Sequence, residues 1–424
     1  MITPSFSLTA TERVLPRLAL DFTTASLDPR VTFTRTTGAS NPATYTDSSG
    51  QIALATNNQP RFDHDPITLA CKGLLIEESR TNIQTYSNDF LNTATAGSTR
   101  PWGWNNITAV SVSQTAPDGS STCFKLTENS ANSTHSITSP VNTTSGAVYL
   151  FSCFVKADGR TQVRYDPSDA AFSSNLSVNY NLSTGVATNT GAVVSSGMTK
   201  YQNNWYRIWA AFTATATLTG QNTHLYMIAG GSTYQGDGTS GVFIYGAQIE
   251  VGAFPTSYIP TTTTALTRNA DVATMTGTNF SDWYNASEGT IGINLSTPMD
   301  YSTGVQTFYA ISDGTNANRI AAAVNAGANV INAEMIVSSS ATAGFYPSYV
   351  SGATKVYFAY KENNTNYAKD SVAGTTDTTC TVPTMNRLNI GSSASSGDLL
   401  NGHVQKVFYY PQRLLNAELA AFSK

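Results

Sequence analysis

The sequence predicts an all-β protein, with a short N-terminal attachment segment followed by two β-sandwich domains. Three observations carry that expectation. Only 12 % of the 424 residues are charged, against about 25 % in an average soluble domain, so Glu and Lys are too scarce for long solvated helices. Thr (61 residues) and Ser (45) dominate, beside 18 Phe, 21 Tyr and 5 Trp; Thr, Tyr and Phe suit pleated, half-buried surfaces, and this much apolar material argues against wholesale disorder. Strand-like runs also recur at regular spacing between Gly, Asn and Ser turns, the pattern of a sandwich.

Charge and cysteine use narrow the function. The net charge is −4 with no run of Lys or Arg, so a phosphate-neutralising surface is not encoded and nucleic acid is a poor partner. No apolar stretch reaches 18 residues, so no membrane insertion is expected. Met1–Ser7 lacks the basic-then-apolar pattern of a secretion signal, which predicts synthesis in the cytoplasm. Cys71, Cys123, Cys153 and Cys380 form no C-x-x-C and read as reduced, buried thiols. Cys123 and Cys153 alone are a candidate pair, on neighbouring strands.

Residues 1–85 open with the short strand candidates Leu18–Phe22 and Val31–Arg35. Few apolar runs follow, so this segment has too thin a core to stand alone and is expected to wrap on a neighbour or dock into an assembly. Residues 86–260 carry the clearest strands, among them 147–156, 204–212, 224–228 and 241–250. Residues 261–269 are a Thr-rich linker. Residues 270–424 form the second sandwich, with strands at 289–295, 355–360, 388–391 and 403–410. A two-turn helix follows at 416–422, capped by Asn416 with Glu418 in its first turn. No internal repeat is present, which excludes a solenoid or propeller.

Four strings carry a resemblance: Leu20-Asp21-Phe22, Phe33-Thr34-Arg35, Pro60-Arg61-Phe62-Asp63 and Gly73-Leu74-Leu75-Ile76-Glu77-Glu78-Ser79-Arg80-Thr81-Asn82. Together they resemble the opening of a bacteriophage tail-fibre or head-fibre family. Ala116-Pro117-Asp118-Gly119, Trp205-Tyr206-Arg207 and Gly246-Ala247-Gln248-Ile249-Glu250 are similar to the jelly-roll carbohydrate-binding module that follows in those proteins. Leu388–Gly391, Gly402–Tyr410 and Leu414–Leu419 resemble the C-terminal edge of concanavalin A-like, laminin G-like sandwiches. The resemblance implies a virion fibre or spike, attached through residues 1–85. It also implies a homotrimer whose partners are other virion proteins and a host surface polysaccharide. The uncharged, Thr- and Asn-rich composition without a secretion signal fits such a released particle protein. Two rival roles are a decoration protein whose lectin-like domains make only subunit contacts, and a glycan depolymerase.

The depolymerase reading lacks a constellation. The carboxylate pairs Asp63/Asp65, Glu77/Glu78 and Asp166/Asp169 are not tied to a cleft as glycoside hydrolysis requires, and read as turn and surface ion-pair residues. His64, His135, His224 and His403 show no zinc spacing. No cofactor is implied, although jelly rolls often hold a structural calcium on loop oxygens. The expectation is therefore a non-enzyme. Sugar binding needs flat aromatic faces with amide, carboxylate or cationic groups beside them. Candidates for a glycan site or a subunit interface are Trp102, Trp104, Arg207, Trp209, Tyr234, Asp237, Tyr346 and Tyr349. On a strand through 206–212, Tyr206, Ile208, Ala210 and Phe212 share the core face. Arg207 and Trp209 then face outward, while Trp205 is assigned to packing.

Overall fold

The computed structural model describes residues 15–35, 43–91, 101–297 and 304–424. The expectation at Met1–Ser7 lies outside them. Strands dominate the described residues, and they form two face-to-face sandwiches. No described helix is long and apolar enough to cross a membrane.

The middle sandwich packs a six-stranded sheet on a seven-stranded one. The first runs Ser195–Lys200, Tyr206–Thr213, Val148–Asp158, Gly241–Val251, Thr122–Glu128, Ile107–Ser113. The second contains Ser177–Asn181, Gln162–Asp166, Leu218–Ile228 and Asn132–Thr143 in adjacent order. Between the sheets lie Phe151, Val155, Val163, Tyr165, Tyr180, Ile208, Phe212 and Met227. Alternation along Tyr206–Thr213 puts Tyr206, Ile208, Ala210 and Phe212 in this core, as period-two geometry requires. The opposite face of the six-stranded sheet is not bare: Phe154, Trp205, Tyr245, Tyr258 and Cys123 form a second apolar cluster there.

That arrangement explains the cysteines. Cys123 sits on the outer face of the six-stranded sheet and Cys153 on its inner face, so the sheet separates the candidate pair and both thiols are free. Burial pushes their pKa up, to about 11 for Cys123 and about 12 for Cys153, so neither is a ready thiolate.

The C-terminal sandwich is built from both ends of the chain. Its central strand Gly402–Tyr410 pairs along one edge with Glu288–Thr297. Along the other edge it pairs with Leu18–Asp21 (Leu18 opposite Tyr409) and with Cys71–Ile76 (Gly402 opposite Ile76). Thr32–Thr34 adds to the facing sheet through Val272–Thr276. Leu18, Leu20, Val31, Phe33, Leu74 and Ile76 are buried in one core with Ile291, Ile311, Phe358, Val407 and Tyr409. The boundary drawn at residue 85 therefore does not mark off an appendage. The early strands lack a core of their own because their apolar faces complete this one, and residues 270–424 alone do not close a sandwich.

The C-terminal helix Asn416–Phe422 also departs from expectation at its start. The cap position is Leu415, whose backbone N–H donates to the Glu418 carboxylate at 2.7 Å. Asn416 instead accepts from Arg413 and donates to Thr376, so its side chain ties the helix to the sandwich.

Candidate functional site

The strings that carry the resemblance meet at the joint between the sandwiches. Glu77 follows the strand Cys71–Ile76 and is buried. Its carboxylate pairs with Arg61 at 2.7 Å and Arg268 at 3.5 Å, and accepts from the backbone and hydroxyl of Ser257, both at 2.7 Å. Burial alone would raise its pKa. Arg268 and Arg61, then Ser257, overcome that and hold it at about 2. Asp271 is held by Arg61 and, at 3.0 Å, by Arg35, and it accepts the Glu77 backbone N–H at 2.9 Å. Asn82 crosses to the middle sandwich, donating to Ile259 O and Ala247 O and accepting from Ile249 N. Glu77, read as a turn or surface ion-pair residue, is thus interior, whereas its neighbour Glu78 is part-exposed and pairs with Arg80 as expected. The arginine partners of Glu77 and Asp271 lie as far as 236 positions away in sequence, beyond the reach of spacing arguments.

Beside this joint lies a cleft of about 260 Å³. One wall comes from the C-terminal sandwich. The register slips between Asp63 and His64, which oppose Gly73 and Cys71 and leave Lys72 without an opposite number, a bulge that re-aims a side chain. Gly73 has φ +106°, and a Cβ there would sit 2.2 Å from Val404 O, so glycine is required. Lys72 reaches Asp63 at 2.7 Å, and His403 Nε2 lies 2.9 Å from the same carboxylate oxygen. The other Asp63 oxygen accepts Thr46 N–H at 2.7 Å. Burial would raise the Asp63 pKa, but Lys72 and His403 drive it well below the usual carboxylate range. Burial, then the Lys72 charge, depresses His403, so the imidazole is neutral at pH 7 and donates from Nε2.

The other wall is the outer face of the six-stranded sheet, carrying Tyr201, Arg207 and Trp209. Trp209 is half-buried and pairs across strands with Gly197. A Cβ at Gly197 would fall 2.2 Å from the indole ring, so this glycine gives the ring room to lie across the neighbouring strand. The indole N–H has no acceptor among the described residues. Arg207 donates from Nη2 to Thr256 O at 2.7 Å and Ser152 Oγ at 3.3 Å, and its guanidinium sits 5.6 Å from the Phe154 ring centre.

The remaining sequence candidates are dispersed. Trp102 is buried and donates to Tyr86 O, while Trp104 packs on the same core and donates to Phe90 O. Both indoles serve packing: Trp104, on the strand Gly103–Asn105, lies opposite Ile137, and Trp102 just before that strand is buried in the same core. Tyr234 and Asp237 lie together near Glu128 at an end of the middle sandwich. Tyr234 OH donates to Glu128 at 2.7 Å beneath Arg160, and Asp237 accepts from Thr239 and Ser240 within its own turn. Tyr346 is 55 % exposed, but Tyr349 is 5 % exposed and packs on Phe308, so the two do not form one edge. Of the eight candidates, only Arg207 and Trp209 line the cleft.

Sequence reasoning missed Lys72, Asp63 and His403. The signal available was the Pro60-Arg61-Phe62-Asp63 string. It also missed an open aromatic face on the seven-stranded sheet, where His224 stacks on Tyr226 at 5.0 Å and 5° with Arg164 above it. Period-two reading of 224–228 would have found that one. Among the described residues, no group of three or more His, Cys, Asp or Glu side chains is placed to hold a metal ion.

No protein-family model matches this chain, and no curated protein matches it by sequence. Among solved structures, it is similar to the Ruminococcus gnavus IT-sialidase CBM40, at 13 % identity and TM-score 0.26 over 33 % of this chain and 84 % of that one. It is similar to the tandem CBM22 domains of Paenibacillus barcinonensis Xyn10C, at 8 % and 0.26 over 81 % and 99 %. Mouse laminin alpha1 LG4-5 matches at 10 % and 0.23 over 68 % and 88 %. Scores this low decide nothing about the present chain, whose all-β architecture rests on its own strand pairing.

Proposed function

We propose that this protein binds carbohydrate without transforming it, with the cleft as its site, and that it serves as a fibre or spike on a bacteriophage virion. The single observation that carries the binding reading is Trp209. A half-buried indole spread over a glycine, beside a guanidinium in the wall of a cleft, is the arrangement that stacks on a sugar ring while polar neighbours meet its hydroxyls. Asp63, Lys72, Tyr201 and Ser257 supply those neighbours. Catalysis is disfavoured because Asp63 and Glu77 are each locked to cations; a general acid needs a carboxyl held protonated near neutral pH. The virion placement rests on the resemblance of the joint strings and on composition, and it includes assembly as a homotrimer. A glycan array probed with the full chain and with Trp209→Ala tests the binding. The expected result is retention of selected glycans by the parent and loss of that signal in the variant. Equal retention by both would overturn the cleft assignment. Labelling of intact particles tests the placement: signal at a distal position supports adhesion, and absence from particles refutes a virion role.

A further inference from the structure

We infer that the cleft selects sugars bearing a carboxylate, with Arg207 as the residue that recognises the acid; this rests on the carbohydrate-binding reading above. The inference starts from charge pairing. Asp63 already satisfies Lys72, His403 and the Thr46 N–H. Glu77 already satisfies Arg61, Arg268 and Ser257. Glu250, fully buried nearby, is taken by Thr256 and Gln248. Arg207 is different. Among the described residues no carboxylate oxygen lies within 4.0 Å of its guanidinium nitrogens. Its bonds to neutral Thr256 O and Ser152 Oγ both use Nη2, so Nη1 makes none.

A guanidinium held half-buried against Phe154 without a counter-charge is poorly compensated, and a carboxylate is the charged acceptor that its unused Nη1 would take. Trp209 stands two residues on along the same strand face, about 7 Å away. An indole face and an unbonded Nη1 at that spacing suit one acidic sugar residue, with its ring on Trp209 and its carboxylate on Arg207. Phosphate monoesters fit less well. A dianion calls for more than one unpaired cation, and the cleft's other cation, Lys72, is committed to Asp63.

The test is calorimetric titration of the full chain with a matched pair, methyl β-glucuronide and methyl β-glucoside, plus glucose 6-phosphate. The expected result is at least tenfold tighter binding of the glucuronide. Arg207→Gln should erase the preference, bringing the glucuronide and the glucoside to the same affinity. Thr199→Glu gives a second route that keeps Arg207 in place. Thr199 pairs across strands with Arg207 and is exposed in the cleft, so the new carboxylate should neutralise the guanidinium and erase the same preference. Equal affinity for the matched pair overturns acid selection and leaves carbohydrate binding standing. An acid preference that survives both variants overturns the role of Arg207. Preference for glucose 6-phosphate overturns the carboxylate assignment. A folded protein that retains no glycan, acidic or neutral, overturns the parent reading and this inference together.

Discussion

Two ion clusters in this molecule use the same chemistry to different ends. At the joint, Glu77 and Asp271 are shared among Arg35, Arg61 and Arg268, and the three arginine side chains and Asp271 are fully buried. At the end of the middle sandwich, a buried Glu128 is clamped by Arg160, with Tyr234 OH and the Asp237 N–H completing its shell. There Arg160 is 18 % exposed and Asp237 45 % exposed. The loop cluster draws on residues 128–237, all within one sandwich. The joint draws on residues 35, 61, 77, 268 and 271, from the stretches before and after the middle sandwich. Removing one partner from a dry, fully shared cluster strands a buried charge, whereas water reaches the loop cluster and softens the loss. The contrast teaches that similar ion pairs hold a turn in one place and the whole chain together in the other.

The largest expected effect is deletion of residues 1–85. It removes two arginines of the joint with Glu77, and seven core side chains from Leu18 to Ile76. That exceeds the roughly 5–15 kcal/mol by which a domain is stable. The fragment should lose cooperative unfolding of the C-terminal sandwich and expose apolar surface to a dye such as ANS. A soluble fragment that keeps both cooperative transitions would show that the early strands are an appendage after all.

Single substitutions sharpen the same comparison. Asp271→Asn should cost about 3–5 kcal/mol in urea unfolding, because Arg35 and Arg61 lose their shared carboxylate while buried. Glu128→Gln should cost less, about 1–3 kcal/mol, because Arg160 can turn to water or to Asp237. Comparable losses at both sites would remove the distinction between joint and loop. The two outer-face tryptophans give a matched test, Trp205 just before the strand Tyr206–Thr213 and Trp209 within it. Trp205 is fully buried in the outer cluster and donates to Thr115 O at 2.9 Å, so Trp205→Ala should cost about 3–5 kcal/mol. Trp209 is half-buried, so Trp209→Ala should cost under about 2 kcal/mol while removing glycan retention. A Trp209→Ala variant that unfolds at the Trp205→Ala midpoint would make its ring a packing group.

What the sequence made legible follows from the range of each signal. Short-range alternation revealed that Arg207 and Trp209 face away from Ile208, and composition revealed the sandwiches. The strings around Phe33–Arg35, Arg61–Asp63 and Glu77–Asn82 stood out as motifs, but their physical meaning did not. Each is half of a contact whose other half, Ser257, Arg268, Asp271 or Ile259, lies about 180–240 residues on. The same limit hid the cleft. Lys72 meets Asp63 only through a bulge, and His403 joins them across 340 positions. Buried charge was the hardest feature to foresee, since an isolated Glu or Asp in a sequence is most often exposed.

The smallest expected effect separates the cleft from the joint by pH. Burial and the Lys72 charge hold the His403 pKa below its ordinary value of 6.5, despite the opposing pull of Asp63. The unfolded chain then binds a proton that the folded chain refuses, so stability rises with pH across the interval between the two values. The contribution of neutral His403 is complete above about pH 6.5 and is lost as pH falls through the folded value. Asp63, whose pKa is lowered, adds its own loss only below about pH 4. Glu77, at about 2, likewise loses its contribution only in strong acid. Acidification from pH 7.5 to 5 should therefore lower the melting temperature with little involvement of the joint. His224 is also depressed by burial and contributes in the same direction. His403→Gln should flatten the slope by the cleft's share, and His224→Gln by its own. A slope untouched by His403→Gln would place the acid-sensitive group outside the cleft and break the contrast between a titrating cleft and a joint that stays ionised.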